Sequence, residues 1–225
     1  KKFGIEEVVF ADDNLTFDRG RAKRIFRLMI DNKLNISWIA PNGVAVWTLD
    51  EETIDLMKAS GCLKICFPVE SGDQYVLDQI IKKPVKLEQV KQLISYSRKI
   101  GLDCGMFLVV GLPGEKEENI KRSFAFARKS RIYPFVSVAT PYPGSELYDI
   151  CVKNKYFTDG FSLDNLTYSN YNIRTEDWDA ERLKSIVEKE KIKQRIYYYL
   201  NNPSRIISFL KRRIFGRHYQ DRYKE

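Results

Sequence analysis

Residues 104–115 read Cys-Gly-Met-Phe-Leu-Val-Val-Gly-Leu-Pro-Gly-Glu, and this stretch decides the fold. Its first part, Cys104 to Val110, is a short apolar run typical of a strand buried on both faces of a parallel sheet. Its second part, Gly111 to Glu115, is a glycine- and proline-rich turn signal that ends the strand. A buried strand followed at once by such a turn predicts the first half of a strand–helix unit.

Amphipathic helices are predicted on both sides of this stretch. The helix before it ends at Gly101. Its apolar face recurs at helical spacing and consists of Val90, Leu93, Ile94, Ser97 and Ile100. The helix after it is predicted to carry Glu115, Glu117 and Glu118 in its first turn, where carboxylates suit the positive end of the helix dipole.

The same alternation extends over the first 160 residues. Further strands are predicted at 8–11, 36–40, 62–69 and 135–140. Helices are predicted along the face of Ala22, Ile25, Phe26, Met29 and Ile30, from a capping box of Thr48 and Glu51 to Ser60, and over 145–153. Because right-handed crossovers place the helices outside a parallel sheet, this order predicts a (β/α) barrel or a doubly wound sheet.

Polar, glycine and proline residues follow the carboxyl end of every predicted strand. The five clusters are Asp12-Asp13-Asn14, Pro41-Asn42-Gly43, Glu70-Ser71-Gly72, Gly111-Leu112-Pro113-Gly114-Glu115 and Pro141-Tyr142-Pro143-Gly144. Turns between strands and helices need such residues anyway. In α/β barrels, however, this rim is also where ligands bind, and five clusters together favour a binding site.

Each cluster suits a particular contact. The Glu70 carboxylate could accept hydrogen bonds from a ribose or an amine, and Asp12 and Asp13 could hold a cationic or hydroxylated group. The turn at 111–114 would let the backbone approach a ligand closely. Pro141 and Pro143 would stiffen the last turn, where backbone groups can meet a flat base.

Charge and cysteine usage exclude several classes of protein. Of the net charge of +8, residues 201–225 contribute +5, from seven basic and two acidic residues, so the preceding 200 residues carry only +3. Nucleic-acid binding by the main body is therefore disfavoured. Four cysteines without a secretory signal predict a reducing, cytoplasmic location rather than a disulfide scaffold. The single histidine, His218, excludes histidine-based triads from the main body.

Taken in order, four segments resemble the radical S-adenosylmethionine (SAM) superfamily, and within it the cobalamin-associated branch. They are Phe10-Ala11-Asp12-Asp13-Asn14-Leu15-Thr16-Phe17, then Met57 to Cys62 running into Val69-Glu70-Ser71-Gly72, then Gly111 to Glu115, and finally Pro141 to Tyr148. The resemblance covers residues 3–157, and 195–203 is similar to the C-terminal helix of that branch. None of the motifs is specific alone, but their order and spacing together are.

The resemblance implies a partial TIM-like barrel that lacks its first βα unit, together with SAM, a 4Fe–4S cluster and, in this branch, cobalamin. Glu70 and Ser71 would contact the ribose or methionyl group of SAM. The segments 111–115 and 141–144 would form the adenine side, with Asp12 and Asp13 nearer the substrate or the cluster. Asn42 would be a further cofactor-binding residue. The CxxxCxxC motif that ligates the cluster is expected before Lys1, in a missing segment of the same protein.

Two features depart from the family pattern or imitate it. Cys62 and Cys66 have CxxxC spacing, but they lie along a predicted strand rather than in a loop, so we assign them to the core rather than to a metal. Pro68 stands where the family often has glycine, and the segment 43–47 lacks an arginine often found there. Both departures put individual SAM or substrate contacts in doubt.

The predicted organisation is a barrel over 1–157 and a C-terminal helical extension over 158–225 with a basic tail. The apolar residues of that tail favour a helix packed on its own domain, with membrane-surface contact as the alternative. The edge of the first strand would be unpaired, which favours self-association.

The proposed enzyme would act on a small-molecule or lipid-like substrate, and the chain by itself would be inactive. Three alternative hypotheses compete with this one. They are a cluster-less binding barrel, an ordinary (β/α) enzyme that binds phosphate at Gly111, and, least favoured, a tRNA-modifying radical enzyme.

Overall fold

Five parallel strands form an open half-barrel in the computed structural model, which describes residues 3–202. The strands are β1 (Glu7–Val9), β2 (Ser37–Ile39), β3 (Cys62–Glu70), β4 (Asp103–Val110) and β5 (Phe135–Val138). Their spatial order is their sequence order, and every neighbouring pair is parallel. A doubly wound sheet would reverse its strand order at a switch point. The barrel alternative is therefore confirmed.

Helices connect the strands and cover one face of the sheet. They are α1 (Arg19–Asp31), α2 (Glu51–Ala59), α3 (Leu87–Lys99), α4 (Glu117–Lys129), α5 (Glu146–Asn154) and α6 (Ala180–Leu200). A π-helical turn at Val76–Ile81 precedes α3. The predicted apolar faces of α1 and α3 are buried, with Phe26 and Val90 fully inaccessible.

The two faces of the sheet differ, as the two-residue period of a strand requires. On β3, Ile65, Phe67 and Val69 are fully buried beneath the helices, while Cys66 and Pro68 on the opposite face are only half-buried. That helix-free face is partly covered by the connection after β2. The amide of Val44 donates to the Cys66 carbonyl at 3.1 Å.

A second core joins the carboxyl ends of β4 and β5 to α4 and α6. Phe124, Leu183 and Val187 are fully buried in it, together with Trp178. The ion pair of Arg128 with the buried Glu190, at 2.8 Å, ties α4 to α6. The segment that carries Trp178 and helix α6 thus packs on the half-barrel. Their separation as a domain at that boundary stays a prediction.

Two local predictions were wrong. The cap of α2 is Asp50, whose carboxylate accepts the Thr53 amide at 2.8 Å, because the segment before it forms a 3₁₀ turn in which the Thr48 hydroxyl donates to the Ala45 carbonyl. Helix α4 begins only at Glu117, so Glu115 is a buried turn residue and not part of a helix.

No helix within residues 3–202 is long and apolar enough to cross a membrane. The predicted basic tail lies outside the described residues.

Glycine at position 72 is required by packing. A Cβ atom there would lie 2.5 Å from the Cβ of Phe126 and 2.7 Å from the Cα of Ser123 on α4. We expect Gly72→Ala to lower the free energy of unfolding by about 1–3 kcal/mol, since overpacking forces the strand end away from the helix. Chemical denaturation measures this.

Gly160→Ala is the matched control, because a Cβ at Gly160 has no neighbour within 4 Å. Equal stability changes in the two variants would contradict the packing explanation.

Candidate functional site

The strand-end clusters lie at one edge of the sheet, because all five strands run in the same direction. At the ends of β1 and β2, the Asn42 amide donates to the Asp12 carbonyl at 3.4 Å. The Asp12 carboxylate accepts the Asn14 amide at 2.8 Å and faces Arg21 at 3.4 Å. Asp13 is exposed. The structure therefore brings Asp12 and Asn42 together, with Asp13 free to face solvent.

Glu70 forms an ion pair at the end of β3. Its carboxylate lies 2.6 Å from the Lys83 ammonium, which also donates to the Pro68 carbonyl at 3.1 Å. The ammonium stands 5.8 Å from the centre of the Trp47 ring. Because Glu70 and Lys83 are each only about one-fifth exposed, this pair is better shielded from water than a surface ion pair.

The backbone explains why Glu70 departs from the strand. Pro68 has no N–H to donate, and in central strands proline is confined to bulges. The pairing of β3 with β4 shifts register between Pro68 and Glu70, and Glu70 adopts a left-handed φ of +67°. A non-glycine residue in this region is held there by its surroundings.

Those surroundings are the next three residues, which anchor the strand end to α4. The Ser71 and Ser123 hydroxyls are hydrogen-bonded at 2.9 Å, and the Gly72 amide donates to the same Ser123 oxygen at 2.9 Å. Ser71 is fully buried, so its side chain faces α4 rather than a ligand. The predicted contact of this hydroxyl with SAM does not agree with the geometry.

Asp73 completes the anchor. Its carboxylate accepts hydrogen bonds from Asn119 and Arg122 of α4, both at 2.9 Å, and from the Tyr75 amide at 2.9 Å. Burial opposes ionisation of Asp73, but these donors outweigh it and hold the pKa of the carboxyl below its usual range.

The turn after β4 is closed internally by Glu115. Its Oε2 atom accepts the amides of Gly111 at 2.7 Å and Leu112 at 3.3 Å, while its Oε1 atom is buried without a partner. Trp178 covers the turn and donates its indole N–H to the Glu115 carbonyl at 2.8 Å. Complete burial raises the pKa of Glu115 to about 8.

Gly111 is required by packing against α6. Its φ is +84°, and a Cβ there would lie 2.6 Å from the Cδ2 of Leu183. The approach of a ligand to this part of the backbone stays a prediction. Leu112 and Pro113 are half-buried and Gly114 is exposed, so only this part of the turn is accessible from outside.

The turn after β5 is mixed in exposure. Pro141 is buried, whereas Tyr142 and Pro143 are exposed. The Ser145 hydroxyl caps α5 by accepting the Tyr148 amide at 3.2 Å. Pro143 is therefore accessible at the rim, and Pro141 belongs to the wall behind it.

The cysteines are core residues. Burial raises the thiol pKa to about 12 for Cys62 and about 11 for Cys104, and it also raises the pKa of Cys66. Within residues 3–202, no three Cys, His, Asp or Glu side chains converge as a metal site would require. The thiols present do not fit a 4Fe–4S cluster, whose ligands are thiolates converging from a loop.

Sequence reasoning missed Lys83, Trp47 and Asp73. Lys83 lies 13 residues from its partner, after a π-helical turn and a left-handed Lys82. The pair Lys82-Lys83 before Pro84 indicates a turn. The sequence does not indicate which carboxylate the Lys83 ammonium pairs with.

Sequence similarity over a region that contains the first three of the four resembling segments defines the family. Residues 1–127 match the Radical SAM superfamily, and the chain belongs to it.

Two similar proteins are methyltransferases. Cytidylyl-2-hydroxyethylphosphonate methyltransferase of Streptomyces wedmorensis is 34% identical over 84% of this chain and 36% of its own length. An uncharacterised methyltransferase of Pyrococcus horikoshii is 32% identical over 68% of this chain and 33% of its own length. The chain thus spans about a third of these relatives.

A solved structure shares the fold. The radical SAM methyltransferase TsrM of Kitasatospora setae, determined with cobalamin and a [4Fe–4S] cluster bound, superposes with a TM-score of 0.61 at 16% identity. The match covers 71% of this chain and 31% of TsrM.

The buried Glu115 carboxyl predicts a pH-dependent stability. Its folded pKa of about 8 exceeds the ordinary value of 4.5, so between these pH values the folded state retains a proton that the unfolded state has lost. We expect the free energy of unfolding to fall as pH rises from about 5 to 8. Glu115→Gln, which keeps an acceptor for the two amides, should flatten this slope in urea denaturation.

The exposed Glu118→Gln serves as the control and should keep the wild-type slope. An unchanged slope in Glu115→Gln would show that another group titrates.

Proposed function

We propose that this chain is the SAM-holding part of a cobalamin-dependent radical SAM methyltransferase. The observation that carries the proposal is the shielded Glu70–Lys83 pair at the rim of a radical SAM half-barrel. The two methyltransferase relatives and the cobalamin-bound TsrM fold support the reaction class. Under this proposal, the complete protein catalyses methyl transfer or another radical reaction on a small-molecule substrate.

The residues at the rim fit SAM by their chemistry. SAM offers ribose hydroxyls and an ammonium as donors, which suit the Glu70 carboxylate. It also offers a carboxylate, which suits the ammonium of Lys83. Lys83 would in addition orient Glu70, because it is fixed by the Pro68 carbonyl. Pro143 and the accessible part of the 112–114 turn would line the same edge.

SAM and the cluster, when bound, supply the methyl group and the radical. The chain's own residues would bind and orient SAM and exclude water from it. The buried anchor of Asp73 to Asn119 keeps Glu70 at a fixed position, so the carboxylate pays little ordering entropy on binding.

The cluster ligands are proposed to lie outside residues 3–202, in another segment of the same protein. The outer edge of β1 is the place where a further strand could add, since Val9 is 53% exposed there. A second copy of the chain could use the same edge. In either case β1 would gain backbone partners. The cytoplasm, where thiols stay reduced, suits both the cluster and the four free cysteines.

The phosphate-binding alternative is disfavoured by the Gly111 turn. A phosphate would need free backbone amides there. The amides of Gly111 and Leu112 are instead occupied by the Glu115 carboxylate. A cluster-less binding barrel stays as the second candidate, and it is distinguished by iron content.

Glu70→Gln should weaken SAM binding. Loss of a charge-assisted hydrogen bond costs about 1.5–3 kcal/mol, which corresponds to roughly a tenfold or greater rise in Kd. The measurement is isothermal titration of SAM, or of a non-reactive analogue, into the anaerobically reconstituted product of the complete gene.

Glu88→Gln removes an exposed carboxylate of α3 as the control and should leave the affinity unchanged. Equal affinities for Glu70→Gln and the wild type, with intact unfolding transitions, would remove Glu70 from the SAM site.

The 225-residue chain, reconstituted anaerobically with iron and sulfide, should contain no stoichiometric cluster and release no 5′-deoxyadenosine. Cys62, Cys66 and Cys104 lie on strands and Cys151 lies on helix α5, so the thiols do not converge from a loop around a cluster. Iron analysis and chromatography of the SAM products measure this, with the product of the complete gene as the positive control. Stoichiometric iron in the chain would contradict the assignment of ligands elsewhere. A complete protein without iron would favour the cluster-less barrel.

A further inference from the structure

A cavity lies at the opposite end of the sheet from the Glu70 rim. It has a volume of about 860 Å³ and opens between the amino-terminal ends of β3, β4 and β5 and the last turns of α6. Asp103 and Asn202 are among the residues that line this basal cavity. Its size is that of a site for one small organic molecule.

The charges around the basal cavity are strongly unbalanced. Lys64, Arg98, Arg131 and Arg195 line it, and Asp103 is the one acidic residue among the described lining residues, which leaves a net charge of +3. None of these four cations forms an ion pair with a carboxylate of residues 3–202. Like charges collected around one cavity repel one another, and an anion placed among them removes that cost.

Three of the four cations are arginines, whose planar guanidinium groups match the oxygens of a phosphate or phosphonate in pairs. The position of Arg98 is fixed, because it donates to the Arg131 carbonyl at 3.2 Å. The α3 end and the loop before β5 are thereby held together at the cavity wall.

Five aromatic rings of the described residues contribute to the wall of the basal cavity. Phe107 and Phe135 stand edge to face with ring centres 5.9 Å apart, and Tyr133 stands 5.5 Å from Tyr198. Phe135 is 50% exposed and Tyr133 is 42% exposed, so parts of both rings remain accessible. A flat ring can stack on such faces, at about 1–3 kcal/mol for a nucleobase.

We propose that the basal cavity binds an aromatic organic phosphate of mononucleotide size. The arginines would hold the phosphate, and Tyr133 and Phe135 would contact the ring. The cavity is distinct from the proposed SAM rim, because it lies at the amino-terminal ends of the strands and Glu70 lies at the carboxyl end of β3. This inference stands independently of the Glu70 proposal.

The test is calorimetric titration of the full 225-residue chain with 5′-CMP and with 5′-AMP. At least one nucleotide should bind, with an affinity that falls as salt rises. Cytidine, adenosine and inorganic phosphate should each bind at least about tenfold more weakly than the better nucleotide, because each lacks one of the two recognised parts.

Arg131→Gln should weaken nucleotide binding about tenfold, through loss of a charge-assisted contact. Arg24→Gln is the matched control: it removes an equal charge from an exposed position of α1 and should leave the affinity unchanged. Phe135→Leu should weaken the nucleotide but not inorganic phosphate. Circular dichroism checks that each variant is folded.

Several results would overturn the proposal. The first is that neither nucleotide binds. The second is that the nucleosides bind as tightly as the nucleotides, which would remove the anion site. The third is an equal loss in Arg131→Gln and Arg24→Gln, which would indicate non-specific attraction to a basic chain.

Discussion

The carboxyl end of β3 is held to α4 by a buried polar contact, and the rim of the half-barrel depends on it. Ser71 and Ser123 share a hydrogen bond, and Asp73 accepts from Asn119 and Arg122. Buried polar groups are costly unless they are all paired, so a network of this kind fixes one geometry of strand and helix. Gly72 belongs to the same contact, because only a residue without Cβ lets the two backbones meet.

That contact explains the unusual backbone of Glu70. A left-handed φ at a glutamate is unfavourable by itself, and it persists only where neighbouring structure over-determines it. The proline two residues before it weakens the ladder, and the anchored residues after it fix the direction of the chain. The Glu70 carboxylate therefore lies against the Lys83 ammonium rather than in solvent. Strain and packing together position the one charged pair that the proposed function uses.

The glycine-rich turn after β4 shows how a motif can serve the fold rather than a ligand. Its amides are bonded to Glu115, and its first glycine lies against Leu183 of α6. The turn therefore joins the half-barrel to its helical extension, with Trp178 as the cover. Glu70 and the exposed turn residues are the groups at this edge that the proposed function assigns to ligand contact. The basic and aromatic cavity at the opposite edge is built from a separate set of side chains.

The sequence by itself determined the strand–helix alternation, the buried faces of α1 and α3, and the edge at which the polar clusters meet. These follow from the periods of helix and strand and from the common direction of parallel strands, which are local properties. The prediction that Cys62 and Cys66 lie on a strand is confirmed, with Cys62 buried and Cys66 half-buried. The orientation of each polar side chain was decided only in the tertiary structure. The Ser71 side chain faces α4, and Leu183 of α6 lies against Gly111. Lys83 meets Glu70, and the arginines of the basal cavity come from α3, the loop before β5 and α6. These contacts join segments that are distant in the chain, so no short stretch of sequence encodes them.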